Sequence, residues 1–258
     1  GLFKGLIEMS NKLALASVDR DKLPQHLAVI MDGNGRWASD RGMPRTFGHK
    51  QGVEATKRLV TAARDVGIEH LTIYGFSTEN WARPKDEVDV LMGLLKSYFN
   101  AEISELHRAN IRIRVIGNKG DFSRDIAALL DRSETLTAQN SGMTLCVALS
   151  YGGRNEIVAS VQSLAARVAA GELAADEITA DMVATGLETA DLPDPDLIIR
   201  TSGEQRLSNF LLWQAAYAEL YFDPVLWPDY SAEHLATALN VFANRERRFG
   251  GLKAQTAL

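Results

Sequence analysis

Apolar and polar positions along the chain follow two recurring patterns. Short apolar runs such as "HLAVIM" place several large apolar residues in succession, which is typical of a strand covered on both faces. Longer segments between them repeat apolar residues every three or four positions, as a helix does. The apolar runs predict strands near 26–32, 70–76, 111–116, 143–150, 196–200 and 219–222. The periodic segments predict helices near 51–66, 86–109, 122–139, 153–170, 176–187 and 231–248.

Strands that alternate with helices are typical of a parallel sheet covered on both faces. We therefore predict an α/β fold: a single domain with a mostly parallel central sheet of about six strands flanked by helices. The segment "ETADLPDPDL" interrupts the pattern, but it leads directly into the apolar run "LIIR" and so does not separate two domains. The predicted domain spans residues 24–251, with a helical or flexible extension at 1–23 and a tail at 252–258.

Composition and charge limit the possible partners and the location. The formal net charge of −5 argues against nucleic acid, because domains that bind it usually carry a basic excess. The single cysteine, Cys146, excludes a disulfide within the chain and favours a reducing compartment. With no signal-peptide pattern and no apolar run long enough to cross a bilayer, we expect a cytoplasmic protein. Leu2, Leu6, Met9 and Leu13 fall on one helical face, which would contact a partner or, peripherally, the inner face of the membrane; a flexible tail is the alternative.

The candidate chemistry begins where the first predicted strand ends. The stretch "HLAVIMDGNGRWA" passes from apolar residues to Asp32 and then to two glycines and Arg36. In open parallel sheets, ligands bind beyond the carboxyl ends of the strands. Glycines there bring backbone N–H groups close to a ligand, and an arginine adds a permanent charge suited to phosphate. We therefore interpret "DGNGR" as a phosphate-binding loop.

Arginines recur after other predicted strands. "FSTENWARP" follows the second strand, and "RTSGEQRLSNF" follows the fifth. A single exposed arginine is usually a solvated charge, but a group of them at the ligand-binding edge of an acidic protein is sufficient to hold two diphosphates. Asp32 and Glu219, the latter in "AYAELYF", would share a hard cation such as Mg²⁺ that bridges diphosphate oxygens.

An apolar helix lies next to these groups in the sequence. In "DEVDVLMGLLKSYFNAEISEL" the apolar residues cover more than one helical face, which usually indicates burial in the core. Beside a diphosphate site, the same helix would line a hydrophobic channel for a hydrocarbon chain. A ligand with a diphosphate head held by arginines and a hydrocarbon tail held by leucines is an isoprenoid diphosphate. An NAD-binding oxidoreductase is the alternative, because "GNGRWA" fits the dinucleotide pattern G-x-G-x-x-A. That pattern also requires an acid at the end of the second strand, and the only candidate, Glu79, lies in a loop.

Seven segments, taken in order, resemble the cis-prenyltransferase family, and within it the bacterial undecaprenyl diphosphate synthases. They are "HLAVIMDGNGRWA", "RGMPRTFGH", "YGFSTENWARP", "LSYGGRNEI", "DLIIRTSGEQRLSNFLLWQAAYAELYF", "LWPDY" and "NRERRFGG". The resemblance implies an enzyme that condenses isopentenyl diphosphate with an allylic starter, farnesyl diphosphate. The implied product is a long-chain polyprenyl diphosphate, undecaprenyl diphosphate, the precursor of the lipid carrier of cell-wall sugars. A short- or medium-chain product is the alternative, and a non-catalytic scaffold subunit is the alternative outside the enzyme class.

The resemblance also implies roles for individual residues. Asp32 would be a catalytic residue that binds Mg²⁺ together with Glu219, and Asn80 would correspond to the proposed proton acceptor. Because a neutral amide is a weak base, we expect Asn80 to orient the reactants instead. Arg248 and Gly250 would reach across a homodimer. The implied substrate-binding residues are Gly33, Asn34, Gly35, Arg36, Trp37, Arg45, His49, Ser77, Thr78, Glu79, Trp81, Arg83, Arg200, Arg206, Leu207 and Ser208.

Overall fold

A parallel sheet of six strands forms the centre of the protein. The computed structural model describes residues 2–249 of the chain. The strands are β1 (His26–Ile30), β2 (His70–Ser77), β3 (Arg112–Ile116), β4 (Thr144–Tyr151), β5 (Leu197–Arg200) and β6 (Glu219–Phe222). Their order across the sheet is β3-β4-β2-β1-β5-β6, and every neighbouring pair is parallel. The predicted α/β class and the predicted number of strands are confirmed.

Eight α-helices flank the sheet within the described residues. They are α1 (Leu2–Leu15), α2 (Asn34–Ser39), α3 (Arg45–Val66), α4 (Lys85–Arg108), α5 (Arg124–Thr137), α6 (Gly153–Ala169), α7 (Ala180–Thr185) and α8 (Ala232–Ala243). None of the helices between residues 2 and 249 combines the length and the apolar character that crossing a bilayer requires.

Four helix predictions need correction. The segment interpreted as a glycine loop forms α2, and the helix predicted from residue 51 already begins at Arg45, after Pro44. The helix predicted near 176–187 is reduced to α7, because the Thr179 side chain accepts a hydrogen bond from the Met182 N–H and starts a new helix there. The last helix ends at Ala243, five residues before the predicted end near 248.

The sheet is buried on both faces, as the unbroken apolar runs predicted. Along β1, Leu27 and Val29 belong to one apolar core, and Ala28 and Ile30 belong to a second core on the opposite face. Cys146 is buried in the second core, as expected of a small core residue. Because β1 lies between β2 and β5, the segments that follow these three strands meet at one edge of the sheet.

Candidate active site

A cavity of about 1090 Å³ opens at the carboxyl edge of the sheet. Charged and polar side chains that follow β1, β2 and β5 line one part of it. Apolar side chains of α4 and of the neighbouring strands line another part: Ile73, Phe76, Leu91, Met92, Leu94, Leu95, Tyr98, Phe99, Val147 and Leu149. A ligand with an anionic head and an apolar tail therefore matches the two kinds of lining in one cavity.

Asp32 lies directly after β1 and pairs with a buried arginine. Its Oδ2 accepts hydrogen bonds from Arg200 Nη2 and from Ser202 Oγ, both at 2.8 Å. Burial of the Asp32 carboxyl opposes ionisation, but these hydrogen bonds and the charge of Arg200 outweigh it and lower the pKa of Asp32. The Asp32 side chain remains 37% exposed and lines the cavity. The site therefore presents an ionised carboxylate that is accessible to a ligand.

Two glycines shape the chain after Asp32. Gly33 has a φ of +113°, and a Cβ there would lie 2.9 Å from the Leu226 side chain. A Cβ on Gly35 would lie 2.4 Å from Arg45 Nη1, so the Arg45 guanidinium packs directly over the Gly35 backbone. The first glycine permits the left-handed turn, and the second permits the approach of an arginine. The glycines were predicted to serve phosphate binding, and in this structure they also position Arg45.

Glu87, in the first turn of α4, contacts three cationic or potentially cationic side chains. Its Oε1 lies 2.9 Å from His49 Nε2, 3.0 Å from Arg83 Nη1 and 3.7 Å from Arg45 Nη2. Burial of Glu87 favours its neutral form, but the hydrogen bond from His49 and the arginine charges outweigh it and lower its pKa. Burial also lowers the pKa of His49, so its imidazole is neutral at pH 7. One buried carboxylate thus holds two arginines and a histidine at the cavity.

The polar loop after β2 forms a short 3₁₀ helix, Thr78–Ala82. Asn80 Oδ1 accepts a hydrogen bond from the Ser77 N–H at 3.0 Å, which leaves the Asn80 carbonyl oxygen already engaged. Trp81 donates from Nε1 to Ser150 Oγ at 2.8 Å, with its ring 4.7 Å from that of Phe76. Trp81 therefore anchors the loop, and Asn80 is held at the cavity by the loop's own backbone.

The segment after β5 supplies a second group of polar contacts. Arg200 Nη1 donates to Ser208 Oγ at 2.7 Å and to the Arg206 carbonyl oxygen at 2.8 Å. Glu204 pairs with Arg206 at 2.5 Å and with Arg36, which follows β1, at 3.2 Å. One carboxylate therefore connects an arginine after β5 to an arginine after β1, so the two groups adjoin.

The structure brings most of the predicted site residues to one cavity. Those that line it are Asp32, Gly33, Asn34, Gly35, Arg36, Arg45, His49, Ser77, Glu79, Asn80, Arg83, Arg200 and Ser208. The remaining predicted residues do not line it: Trp37, Thr78, Trp81, Arg206, Leu207 and Glu219.

These remaining residues have other contacts. Trp37 donates to Asp229 Oδ1 at 2.8 Å and stacks on Phe47, and Leu207 packs against the second core. Thr78 donates from Oγ1 to Glu79 Oε2 at 3.2 Å. For the dimer prediction, Arg248 is seen only in a pair with Glu246 at 3.0 Å, and Gly250 lies outside the described residues.

The predicted pairing of Asp32 with Glu219 does not form within one chain. Glu219 is the first residue of β6 and pairs in register with Leu197, whereas Asp32 lies beyond the opposite end of β1. Five residues of strand separate the two levels, or roughly 16 Å at about 3.3 Å per residue. Glu219 instead pairs with Arg245 at 3.0 Å. In the part of the chain that the structure describes, no three His, Cys, Asp or Glu side chains form a group that could hold a metal ion.

Sequence reasoning missed Arg154 and Asn209, which line the cavity, and Glu87, which contacts three side chains that line it. Glu87 stands four residues after Arg83, but Lys85 and Asp89 show the same spacing and only an exposed pair. Arg154 stands within the motif "LSYGGRNEI", and Asn209 stands within "RTSGEQRLSNF", next to the predicted Ser208. Their positions at the cavity depend on the packing of α6 against the segment after β5, which the sequence does not show.

Comparison with known proteins now assigns the class. The chain belongs to the prenyltransferase family, because residues 30–250 match the family model described as "Putative undecaprenyl diphosphate synthase". An isoprenyl transferase of Agrobacterium fabrum is 51% identical to it over 95% of this chain and 99% of the relative. A Vibrio cholerae relative is 50% identical over 91% of this chain and 94% of its own length. That relative is named ditrans,polycis-undecaprenyl-diphosphate synthase ((2E,6E)-farnesyl-diphosphate specific).

A solved structure supports the same class. Lavandulyl diphosphate synthase from Lavandula x intermedia, in complex with dimethylallyl diphosphate, matches with a TM-score of 0.87 and 38% identity. The match covers 89% of this chain and 99% of the plant protein. The chain is therefore a prenyltransferase, and the oxidoreductase and scaffold alternatives give way to it. The glycines of "GNGRWA" belong to a prenyltransferase motif and not to a dinucleotide site.

Proposed function

We propose that the enzyme adds isopentenyl diphosphate units to an allylic starter, farnesyl diphosphate, and makes undecaprenyl diphosphate or a product close to that length. The observation that carries the proposal is the single cavity, which combines two adjoining arginine groups with an apolar lining along α4. The V. cholerae relative, whose name specifies this starter and this product, supports the choice at 50% identity. The product would be the precursor of the lipid carrier of cell-wall sugars.

The two arginine groups define two diphosphate positions in this proposal. The starter's diphosphate binds to the group after β1, where Arg36 and Arg45 flank the start of α2. Isopentenyl diphosphate binds to the group after β5, where Arg200 and Ser208 are joined by a hydrogen bond. Each planar guanidinium can pair with two phosphate oxygens. The starter's hydrocarbon tail then extends along the apolar residues of α4.

Asp32 is the ligand that we propose for Mg²⁺. Its carboxylate is ionised and partly exposed, and it lines the cavity between the two arginine groups. Mg²⁺ commonly binds to one or two carboxylates and completes its shell with substrate phosphates and water, so a single carboxylate from the chain fits this ion. When bound, the ion supplies positive charge that stabilises diphosphate oxygens.

The residues of the chain support the proposed condensation in three ways. Arg36 and Arg45 stabilise the negative charge that develops on the starter's diphosphate as its C–O bond breaks. Arg200 and Ser208 hold isopentenyl diphosphate so that its double bond forms the new C–C bond at the allylic carbon. A proton then leaves the isopentenyl unit for a diphosphate oxygen, and a cis double bond remains. The side-chain oxygen of Asn80, Oδ1, already accepts a hydrogen bond from the Ser77 N–H. Asn80 therefore orients the reactants instead of acting as the base, because a neutral amide is a weak base.

A shorter product is the second candidate. Tyr98 and Phe99 are buried aromatic residues of α4, and both line the apolar part of the cavity. Rigid rings at this position would limit how far a growing tail extends. The length of the product therefore tests the more specific part of the proposal.

The experiment is to incubate the full chain with Mg²⁺, radiolabelled isopentenyl diphosphate and either farnesyl or geranyl diphosphate. The released alcohols are then sized by chromatography. We expect incorporation to depend on the allylic starter and the main product to contain eleven isoprene units. Products of a few units would select the second candidate, and no incorporation with either starter would overturn the proposed activity.

We also propose that the enzyme acts as a cytoplasmic homodimer that contacts the membrane peripherally. Tyr217 and Phe249 are 70% and 63% exposed, and their rings lie 6.2 Å apart near the end of the described chain, which supports an interface there. Met9 and Leu13 of α1 are 57% and 71% exposed, which supports membrane contact. Light scattering should give twice the 28.3 kDa of one chain. Sedimentation with anionic vesicles should decrease when Leu13 is replaced by serine.

A further inference from the structure

Arg154 differs from the other basic residues that line the cavity. The others each contact a carboxylate within 4 Å: Arg36 contacts Glu204, Arg200 contacts Asp32, and Arg45, His49 and Arg83 contact Glu87. The Arg154 side chain lines the same cavity and is exposed. Among the described side chains, those of residues 9–249, it has no partner in an ion pair or a side-chain hydrogen bond. It therefore contributes a positive charge to the cavity that no acid of the described chain neutralises.

Backbone contacts place Arg154 beside the group after β5. The Arg154 N–H donates to Asn209 Oδ1 at 2.8 Å, and the Gly153 N–H donates to the Asn209 carbonyl oxygen at 2.7 Å. Asn209 directly follows Ser208, whose hydroxyl accepts from Arg200 at 2.7 Å. The start of α6 is thus fixed against the segment that carries the proposed isopentenyl diphosphate contacts.

The position of Arg154 within α6 is electrostatically unfavourable in the absence of an anion. It is the second residue of a helix of 17 residues, where the aligned peptide dipoles leave a partial positive charge. Arg167, in the last turn of the same helix, lies where a cation is favourable. An anion bound near Arg154 would remove the unfavourable interaction, whereas helix stability alone gives no reason for an arginine there.

We propose that Arg154 is a further substrate-binding residue, which contacts the diphosphate of isopentenyl diphosphate and not that of the allylic starter. This inference rests on the proposed function, because it assigns Arg154 to one of its two diphosphate positions. Arg200 and Ser208 approach this diphosphate from the segment after β5, and Arg154 approaches it from α6. The guanidinium then supplies two parallel N–H donors to phosphate oxygens.

The kinetic test compares Arg154→Ala with Arg167→Ala, a control on the same helix and outside the cavity. We expect Arg154→Ala to raise KM for isopentenyl diphosphate roughly tenfold, the lower range for a hydrogen bond to a charged group. KM for the starter should change less than about twofold, since the arginines of that group remain. Arg154→Lys should recover part of the loss because it retains the charge. Arg167→Ala should match the wild type for both substrates.

A binding measurement separates this inference from the proposed function. Isopentenyl diphosphate alone, titrated calorimetrically in the presence of Mg²⁺ and without starter, should bind about tenfold more weakly to Arg154→Ala than to the wild type. Equal binding by the two proteins, or equal losses for both substrates, would overturn the role of Arg154 only. If the wild type neither binds isopentenyl diphosphate nor incorporates it, the proposed function itself fails. Thermal unfolding should show Arg154→Ala at least as stable as the wild type.

Discussion

Arginine–carboxylate pairs occur at both ends of the parallel sheet. At the amino end, Asp196 Oδ1 pairs with Arg247 at 2.8 Å, and its Oδ2 accepts from the His26 N–H at 3.0 Å. At the carboxyl end, Glu87 and Glu204 pair with arginines that line the cavity. The pairs at the amino end also bind backbone groups and so connect separate chain segments. The pairs at the carboxyl end join two side chains, and a diphosphate could replace the carboxylate in each of them.

The same pair of residue types occurs in two kinds of site, and contact of the arginine with the cavity distinguishes the two. Arg245 illustrates the first kind, because Nη1 donates both to Glu219 and to the Leu220 carbonyl oxygen. Glu204 illustrates the second kind, because its two partners are exposed arginine side chains. We therefore expect substitutions at the carboxyl end to change catalysis and those at the amino end to change stability.

The largest effect is expected at the carboxyl end, from Asp32→Asn. The substitution keeps a hydrogen-bond acceptor for Arg200 and Ser202 but removes the negative charge that we assign to Mg²⁺ binding. The rate of condensation should fall roughly 10²- to 10³-fold, the usual range for loss of one electrostatic contribution to a transition state. Single-turnover assays with labelled isopentenyl diphosphate measure it. A variant with near-normal turnover would contradict the role of Asp32.

The next effect is a dependence of stability on pH, and it arises from His26 at the amino end of the sheet. His26 is 1% exposed, and burial lowers its pKa to about 4. Because the unfolded histidine titrates near 6.5, the unfolded chain binds more protons between these values, so stability is complete above pH 6.5 and is lost as pH falls toward 4. The loss from His26 should approach about 3 kcal/mol, at about 1.4 kcal/mol per pKa unit.

Denaturant unfolding of the wild type and of His26→Gln between pH 7 and 4.5 checks this expectation. The free energy of unfolding of the variant should depend less steeply on pH than that of the wild type, whatever its absolute value. A smaller slope should remain, because His49 and His70 also have lowered pKa values. Replacing the exposed His107 by glutamine is the control for the same exchange at a site away from His26. Equal slopes in wild type and His26→Gln would show that His26 has the same pKa in the folded and unfolded chain, which would contradict this expectation.

Asp196→Ala tests the structural role of the amino end directly. The substitution removes the acceptor of the His26 N–H and the partner of Arg247. The free energy of unfolding should fall by about 2 kcal/mol, the usual cost of leaving a buried donor and a charge unpaired. Urea unfolding at pH 7 measures this loss. Asp176→Ala, at an exposed residue, is the control, and an equally small change in both variants would contradict the assignment.

The smallest effect is expected from Glu87→Gln. Without the carboxylate, Arg45 and Arg83 lose the charge that holds them at the cavity, so binding of the starter must order two mobile side chains. KM for the starter should rise roughly fivefold, at about 1 kcal/mol of ordering cost. KM for isopentenyl diphosphate should change much less, and steady-state kinetics with each substrate varied in turn give both values. Tighter binding of the starter would show that Glu87 only competes with it.

Much of the fold could be predicted because the strands are buried on both faces. Runs such as "LIIR" can be recognised as strands from their apolar character alone. The motifs that follow β1, β2 and β5 lie close together because neighbouring parallel strands end at the same edge of the sheet. The helix α2 was missed, because it is only six residues long and includes Gly35, which has low helix propensity.

Two aspects of the site required three-dimensional structure. The direction of β6 decides at which end of the sheet Glu219 lies, and a sheet predicted only as mostly parallel leaves the direction of an edge strand open. Glu87 acquires its partners only because α4 packs beside α3 and the loop after β2, which brings His49 next to it from a distance of 38 residues along the chain. Such contacts depend on packing and not on local spacing.

Glu87 and Glu204 occupy positions at the arginines that a diphosphate would need. Each incoming diphosphate therefore exchanges one anion for another, and its net affinity is lower than it would be for unpaired arginines held in the same positions. The exchange also runs in reverse, because a carboxylate attached to the chain competes at high effective concentration with a departing inorganic diphosphate. In the proposed series of condensations, these two acids would act as tethered competitors that shorten the residence time of each leaving group.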